Sequence, residues 1–150
     1  MDVRRLAVTV DLRQATRDDV AGITQLVCHL GYPTDEAAMR ARLDAIFAIP
    51  ERLTLLATDG DALVGLAGGL LDRSYEFDGY VCRLTGLVVD PSHHGQGIGT
   101  LLLDAVENWA ADHGAAMVTL NCGTWRDAAH CFYERRGYRL TGYRFRRDLR

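Results

Sequence analysis

The 150-residue sequence contains no lysine, and all 17 of its basic residues are arginine. Without lysine the chain cannot build a phosphate-binding P-loop, whose motif ends in Gly-Lys-Ser/Thr. The sequence also lacks any apolar run near the roughly 18 residues that a membrane span needs, and its N-terminus lacks the apolar core of a signal peptide. We therefore expect a cytoplasmic protein with no membrane partner.

The cysteines and histidines are too scattered to suggest a metal site. The four cysteines show no Cys-x-x-Cys spacing, and no histidine is placed to complete a zinc site with them. His93 and His94 are neighbours, and adjacent residues rarely converge on one ion. We therefore expect free thiols in a reducing compartment and no bound metal. The formal net charge of −3 disfavours nucleic acid as the main partner.

Hydrophobic periodicity predicts a mixed α/β domain. Apolar residues at helical spacing, bounded by capping signals and glycines, predict helices at about 16–30, 34–47, 99–113 and 124–136. Apolar runs and alternation predict strands at 6–12, 53–58, 62–71, 80–89, 116–121 and 138–147, with an Asp-Gly hairpin turn at 59–61. The order β-α-α-β-β-β-α-β-α-β implies a mixed sheet with helices on both faces, in a single domain over residues 1–150.

The C-terminal end is locally basic, because seven of the 17 arginines lie within residues 135–150. A solvated face of the last predicted strand is the expected role of these arginines. An edge that faces an anion is the alternative.

A glycine-rich turn separates the predicted strand 80–89 from the helix at 99–113. Glycines at 95, 97 and 99 let the chain turn tightly and approach a ligand closely. Backbone N–H groups at the start of a helix have no helical partner and, with the positive helix end, attract an anion such as phosphate. The turn therefore predicts a phosphate site, although a glycine-rich helix start without a ligand is also possible.

The spacing of this turn narrows the choice of ligand. A dinucleotide fingerprint needs Gly-x-Gly-x-x-Gly after the first strand, whereas Gly95-x-Gly97-x-Gly99 has a different spacing and lies late in the chain. A CoA-type pyrophosphate loop needs Arg/Gln-x-x-Gly-x-Gly/Ala between a strand and an amphipathic helix. The sequence His94-x-x-Gly97-x-Gly99 has that context, with His94 in the place of the usual Arg or Gln.

Two stretches of the sequence resemble motifs of the GCN5-related N-acetyltransferase (GNAT) family. Motif A is similar to Val88-Val89-Asp90-Pro91-x-x-His94-Gly95-x-Gly97-Ile98-Gly99-x-Leu101-Leu102, and motif B to Ala129-x-x-Phe132-Tyr133-x-x-x-Gly137-Tyr138. The resemblance implies the GNAT acyl-CoA N-acyltransferase fold and acetyl-CoA as co-substrate. It also implies direct transfer of an acetyl group to a primary amine of a small molecule or peptide. Members of the family are often dimers, so a homodimer is compatible with it.

The resemblance further implies which residues hold acetyl-CoA. Backbone groups of Leu87 and Val89 would pair with the pantetheine arm, which enters a gap opened by a bulge near Gly86, and Asn121 would add a side-chain contact. The pyrophosphate would lie on the turn, against His94, Gly95, Gln96, Gly97, Ile98, Gly99 and Thr100, and Val88 is a further predicted cofactor-binding residue. Core packing is the alternative role for the side chains of Leu87 and Val89.

Acetyl transfer needs a neutral amine and a proton for the leaving thiolate. Tyr133 of motif B is the predicted proton donor, because a phenol is protonated at neutral pH; packing beside Phe132 is its alternative role. Many family members carry a Glu on the strand before motif A, but residues 83–87 contain no carboxylate. Glu76, or Asp78 in the same loop, is therefore the candidate base, directly or through water; a solvated loop carboxylate without a catalytic role is the alternative for both. Proton loss through water without a dedicated base is equally compatible.

Several functions fit these residues. Aminoglycoside-like antibiotics, polyamines, amino-acid derivatives and protein N-termini are all possible acceptors, and acids beside aromatics in residues 72–80 would suit a cationic amine. A non-catalytic acyl-CoA-binding or sensing module and a transferase of longer acyl chains are the alternatives. We expect direct transfer rather than an acyl-cysteine on Cys82 or Cys122, since buried structural thiols are commoner than nucleophiles.

His94 predicts a pH dependence of cofactor binding. A histidine adds a full positive charge beside the pyrophosphate only when its imidazole is protonated, which for imidazoles in general happens near pH 6.5. We expect the affinity for acetyl-CoA to strengthen mildly as the pH falls from about 8 to 6. Calorimetric titration across this range measures the effect. A flat profile, or the same slope in His94→Ala, would contradict it.

Overall fold

The computed structural model describes residues 9–150, and the helices and strands largely follow the predicted order. The strands are β1 (Asp11–Gln14), β2 (Arg52–Asp59), β3 (Ala62–Arg73), β4 (Tyr80–Val89) and β5 (Ala115–Leu120). The helices are α1 (Val20–His29), α2 (Glu36–Phe47), α3 (Ile98–Asp112) and α4 (Asp127–Arg135), with short 3-10 helices at Arg17–Asp19 and Pro91–His93. Among the described residues, no helix is both long and apolar enough to span a membrane.

The chain divides into two compact units. The first extends to Thr119 and holds almost all of the sheet together with α1, α2 and α3; the second, Leu120–Arg150, holds α4 and the C-terminal segment. The prediction of one domain over residues 1–150 stays a prediction.

The sheet has five strands in the order β1-β2-β3-β4-β5. The first four pair antiparallel in sequence. Asp59 pairs with Ala62, so a two-residue turn joins β2 and β3, and Gly60 has the positive φ of 59° that such turns require. The connection from β4 to β5 runs through α3, which is the kind of crossover that parallel neighbours need. The predicted mixed sheet is confirmed.

Helices pack on both faces of this sheet, as predicted. Leu56 and Leu66 pair across β2 and β3, and both lie in the core with residues of α1 and α2. The next pair along, Ala57 and Gly65, points to the opposite face. There a Cβ on Gly65 would lie 2.8 Å from Leu102 of α3. The glycine therefore lets α3 approach β3 more closely than any side chain would allow.

A bulge interrupts β4 where Gly86 predicted one. Gly86 pairs with Gly68 and Leu84 with Gly69, so Thr85 is an extra residue without a partner on β3. The extra residue changes which face the following side chains occupy. Leu84 lies opposite Gly69, which faces Trp109 of α3, whereas Val88 lies in the core with α1 and α2. A regularly alternating strand would bury residues 84 and 88 on the same face.

Three predicted boundaries are wrong. Strand β1 begins at Asp11; residues 6–8 of the predicted 6–12 strand lie outside the described residues. Helix α2 begins after Asp35, whose carboxylate accepts from the Ala38 N–H at 2.8 Å, so Asp35 and not Thr34 is its N-cap. Helix α4 begins at Asp127, and the predicted cap at Thr124 does not form because residues 124–125 are in a turn.

The last predicted strand is also wrong, because residues 138–147 form neither a strand nor a helix. Every residue from 139 to 150 is exposed. Alternation of apolar and polar residues specifies which side chains share a face, but a strand also needs a neighbour to complete its backbone hydrogen bonds.

Candidate functional site

The predicted pyrophosphate turn is a tightly held loop between β4 and α3. The Asp90 backbone N–H donates to the Val64 carbonyl at 2.8 Å, which ties the start of the loop to β3. The Asp90 carboxylate accepts from the Ser92 N–H at 2.9 Å and from the Ser92 hydroxyl at 2.6 Å. These hydrogen bonds from Ser92 favour the ionised carboxylate and hold the pKa of Asp90 below its usual range.

The glycines of the loop leave room for a ligand. Gly95 and Gly97 have φ values of 77° and 84°, and a Cβ built on either would meet no atom within 4 Å. Gly97 is the N-cap of α3 and has no side chain with which to accept from the first turn. The first amide with a helical partner is that of Leu101, which donates to the Gly97 carbonyl at 3.1 Å.

The amides of Ile98, Gly99 and Thr100 therefore start the 15-residue helix without helical acceptors. They are joined there by the positive end of the helix dipole. Open space beside two left-handed glycines, together with donors in a row, fits the pyrophosphate of an acyl-CoA.

The histidine that replaces Arg or Gln is turned back toward the strand. His94 Nε2 lies 2.9 Å from the Val89 carbonyl oxygen, which can only accept, so Nε2 carries the proton of this bond. In the neutral ring Nδ1 then holds a lone pair, and only protonation makes it a second donor. The charge of His94, and not its neutral form, can thus favour an anion.

Two more histidines, His93 and His29, lie near the Asp90–Ser92 end of the loop. His93 Nδ1 lies 3.0 Å from the Ser92 hydroxyl, and its Nε2 lies 3.4 Å from a carboxylate oxygen of Asp59. His29 at the end of α1 lies 3.9 Å from the Asp90 carboxylate. Among the described residues no group of three or more His, Cys, Asp or Glu side chains is arranged to hold a metal ion.

The register of β4 directs the backbone of Leu87 and Val89 away from β3. In an antiparallel pair, residues alternate between exchanging hydrogen bonds with the partner and pointing their N–H and C=O groups away. The bond from Asp90 to Val64 makes residue 90 a bonded position, so residues 89 and 87, opposite Gly65 and Ala67, point outward. Their backbone groups face the side of the sheet where β5 lies. This is the orientation that the predicted contacts with pantetheine require.

Asn121 and Tyr133 belong to the second unit. Asn121 directly follows β5 and is exposed, and Tyr133 lies in the last turns of α4. The Tyr133 ring packs edge-on against Phe132 and Tyr138, at centroid distances of 5.2 and 5.7 Å. Burial disfavours the phenolate and raises the pKa of Tyr133 to about 12. Its phenol is therefore fully protonated at neutral pH.

Glu76 does not lie with the residues of the glycine loop. It is exposed in the segment between β3 and β4, and its backbone N–H is held by the Ser74 hydroxyl at 3.1 Å. That segment precedes Tyr80, whereas the glycine loop follows Val89 at the other end of β4. A ten-residue strand separates its ends by about 30 Å.

The fold thus brings together Leu87, Val89 and the predicted loop residues 94–100, and leaves Glu76 apart from them. Val88 does not join them, because its side chain is buried in the core with α1 and α2 and its backbone pairs with Leu66.

The sequence alone assigns Asp90 to motif A at the end of a strand, and it assigns no role to Ser92. The signal was present as Asp-Pro-Ser: an acidic N-cap followed by proline is typical of the start of a short helix, and here it anchors the loop.

Comparison with known proteins identifies the family of this chain. Residues 20–138 match the acetyltransferase (GNAT) family. An aminoalkylphosphonate N-acetyltransferase of Salmonella typhimurium is 31% identical over 140 residues, which is 93% of this chain and 91% of the relative.

Solved structures share the fold. A GNAT family acetyltransferase of Staphylococcus aureus superposes with a TM-score of 0.81 at 24% identity, over 94% of this chain and 99% of that one. An aminoglycoside N-acetyltransferase in complex with CoA superposes with a TM-score of 0.83 at 20% identity, over 94% and 95% of the two chains. Because its sequence matches the family over most of its length, the chain belongs to the GNAT family and is an acetyl-CoA-dependent N-acetyltransferase.

Proposed function

We propose that this enzyme transfers the acetyl group of acetyl-CoA directly to the primary amine of a small molecule. The observation that carries the proposal is the loop from His94 to Thr100, which presents a row of amides beside two left-handed glycines. The thioester supplies an activated acyl group and a thiolate leaving group. The residues of this chain bind the cofactor, orient the thioester and manage the protons.

Binding is assigned to backbone atoms more than to side chains. The amides of Gly95, Gly97 and Gly99, with those of their neighbours, would hold the pyrophosphate, and the outward backbone of Leu87 and Val89 would hold the pantetheine arm. Asn121, just after β5, would add an amide side chain to the same arm. The bulge at Thr85 supports this assignment, because it disturbs the ladder next to these residues.

Tyr133 is assigned to the leaving thiolate. Its pKa of about 12 lies above the roughly 8.5 of a thiol, so complete transfer of the phenol proton to sulfur is unfavourable by several kcal/mol. The phenol would instead donate a hydrogen bond to the developing thiolate. That bond lowers the barrier without producing a phenolate.

The proton of the attacking amine leaves by a separate route. Glu76 stays the predicted base, and its exposed position means that it would act through water. Water alone is sufficient chemically if a small neutral fraction of the amine binds. About one in a thousand alkylamines is neutral at pH 7.

The acceptor that we propose is an aminoalkylphosphonate or a similar small amine with an anionic group. The support is the 31% identity to the Salmonella typhimurium aminoalkylphosphonate N-acetyltransferase, which extends over 93% of this chain. An aminoglycoside N-acetyltransferase shares the fold at 20% identity. An identity this low indicates the fold but does not indicate the substrate.

Gly97→Glu tests the pyrophosphate loop. A carboxylate at this position would repel the diphosphate and occupy the open space beside α3, so we expect the dissociation constant of CoA to rise at least about 100-fold. Gly114→Glu is the matched control, because Gly114 follows the other end of α3 with a φ of 78° and open space around it. Its affinity should stay within about threefold of the wild type.

Isothermal titration gives both affinities. Thermal unfolding checks that the two variants lose the same stability from placing a side chain on a residue with positive φ. Equal affinities in Gly97→Glu and Gly114→Glu would remove the loop from the cofactor site.

Tyr133→Phe tests the hydrogen bond to sulfur. Loss of one hydrogen bond to a charged atom should lower kcat about 10- to 100-fold and leave the dissociation constant of acetyl-CoA unchanged. Tyr143→Phe is the control, because Tyr143 is an exposed tyrosine outside the proposed site, and its kcat should stay near that of the wild type. Wild-type turnover in Tyr133→Phe would leave Tyr133 with a packing role only.

An amine panel tests the acceptor. We expect kcat/KM for 2-aminoethylphosphonate to exceed that for ethylamine at least about 100-fold, since an acceptor site that hydrogen-bonds an anionic group would reject an analogue without it. Kanamycin and a short peptide with a free N-terminus complete the panel, and release of CoA is followed with a thiol reagent. A preference for either of these would overturn the phosphonate assignment. CoA binding without turnover of any amine would favour a binding module.

A further inference from the structure

Arg126, at the start of α4, is a residue that the helix itself does not favour. It is the N-cap of α4, a position where Ser, Thr, Asp and Asn are preferred, and its side chain makes no capping hydrogen bond. Its positive charge also lies at the positive end of the helix dipole, which disfavours cations. A residue that breaks local rules without a compensating gain in stability indicates a functional position.

The turn that carries Arg126 is firmly held. The Arg126 N–H donates to the Gly123 carbonyl at 3.1 Å, and the His130 N–H donates to the Arg126 carbonyl at 3.1 Å. His130 Nε2 lies 2.9 Å from the Gly123 carbonyl oxygen, so the imidazole also binds this turn. The backbone of Arg126 is therefore fixed, and its exposed side chain is the part that is available to a ligand.

Arg126 and Tyr133 share one face of α4. Seven residues are close to two helical turns, so the two side chains start about 20° apart around the helix axis and about 10 Å apart along it. Ala129 and His130 lie between them on this face, and neither is acidic. The face thus presents a guanidinium and a phenol with a small residue, Ala129, between them.

The charge of Arg126 acts on the Tyr133 hydroxyl. Burial is the main influence on the pKa of Tyr133 and raises it, whereas the Arg126 guanidinium favours the phenolate and lowers this pKa. Coulomb interactions weaken with distance, so the guanidinium lies in the neighbourhood of the phenolic oxygen. Within residues 9–150 no carboxylate forms an ion pair with Arg126, which leaves its donors available to an anion.

We propose that the Arg126 guanidinium binds the anionic group of the acceptor and thereby determines which amines the enzyme acetylates. This inference rests on the proposed function, because it takes the acceptor to be an amine that carries a phosphonate or a similar group. Tyr133 faces the leaving thiolate, and Arg126 holds the other end of the substrate whose amine attacks the same thioester.

The size of such an acceptor fits this arrangement. In 2-aminoethylphosphonate two carbons separate the amine from phosphorus, which places the negative charge about 4 Å from the nitrogen. The nitrogen attacks the carbon that is bonded to the sulfur, so the phosphonate comes close to the region that Tyr133 and Arg126 share. The planar guanidinium can donate two parallel hydrogen bonds to two phosphonate oxygens.

Arg126→Gln tests the assignment. The variant loses the charge but no capping bond, so the start of α4 should stay intact. We expect kcat/KM for 2-aminoethylphosphonate to fall about 100-fold, mainly through KM, because a charge-assisted pair is lost. For ethylamine, which has no anion, kcat/KM should stay within about threefold of the wild type. Release of CoA, followed with a thiol reagent, measures both.

Arg135→Gln is the matched control. Arg135 is an exposed arginine of the same helix, and nine residues of separation from Arg126 place it on the opposite face. The variant makes the same change in charge and should leave kcat/KM for both amines within about threefold of the wild type. Arg126→Lys restores the charge without the planar fork, so it should recover about tenfold of the lost kcat/KM.

The affinity for CoA distinguishes the acceptor from the cofactor, whose phosphates are also anions. We expect the calorimetric dissociation constant of CoA in Arg126→Gln to stay within about threefold of the wild type. A rise as large as the loss of kcat/KM would assign the guanidinium to the cofactor and overturn the proposal.

The acceptor and the role of Arg126 can fail separately. A wild-type enzyme without preference for 2-aminoethylphosphonate over ethylamine would contradict the proposed acceptor, and the role of Arg126 with it. A wild-type preference that persists in Arg126→Gln would contradict the role of Arg126 alone.

Discussion

The site depends on the hydrogen bond from the Asp90 N–H to the Val64 carbonyl, which continues the pairing of β4 and β3 to the last residue before the loop. Because bonded and non-bonded positions alternate along an antiparallel pair, this bond determines that Leu87 and Val89 turn their backbone groups away from β3. The same bond fixes where the loop leaves the sheet. The Asx turn between Asp90 and Ser92 then fixes the direction in which it leaves. The backbone groups of Leu87 and Val89, which we propose bind the cofactor, and the loop are therefore positioned by the same hydrogen bond.

Small residues on β3 position the N-terminus of α3, which is the second part of the candidate site. Gly65 packs against Ile98 and Leu102 of α3, and Gly69 packs against Trp109. A Cβ on either glycine would lie too close to these side chains. The helix can therefore lie against the strand, and its N-terminus comes close to the end of β4. Any helix begins with amides that have no helical acceptor, as α3 does. The packing of α3 on β3 is what places these amides near the end of β4, where the backbone of Leu87 and Val89 points outward.

The bulge at Thr85 links the sheet to the site in another way. A single extra residue moves Leu84 to the face of α3 and keeps Val88 on the face of α1 and α2, so both sides of the sheet receive a buried side chain from one strand. A bulge interrupts the backbone hydrogen bonds between two strands. Here the interruption lies next to the residues whose backbone is proposed to pair with the cofactor. Gly68 lies across from the bulge, and the Thr85 side chain occupies the space that a Cβ on residue 68 would need. Glycine at this position therefore makes room for Thr85.

The sequence by itself determined the order of elements up to α4, the hairpin at Gly60, the bulge near Gly86 and the glycine loop. Each of these rests on short-range chemistry: periodicity, capping or the need for positive φ at glycine. The family also followed from sequence, because both motifs are local. Only the tertiary structure decided that the β4 backbone turns outward at Leu87 and Val89, that His94 bonds back to Val89, and that Glu76 lies beyond the far end of β4. It also decided that residues 138–147 form no strand, since alternation predicts a face for each side chain but a strand also requires a neighbouring strand.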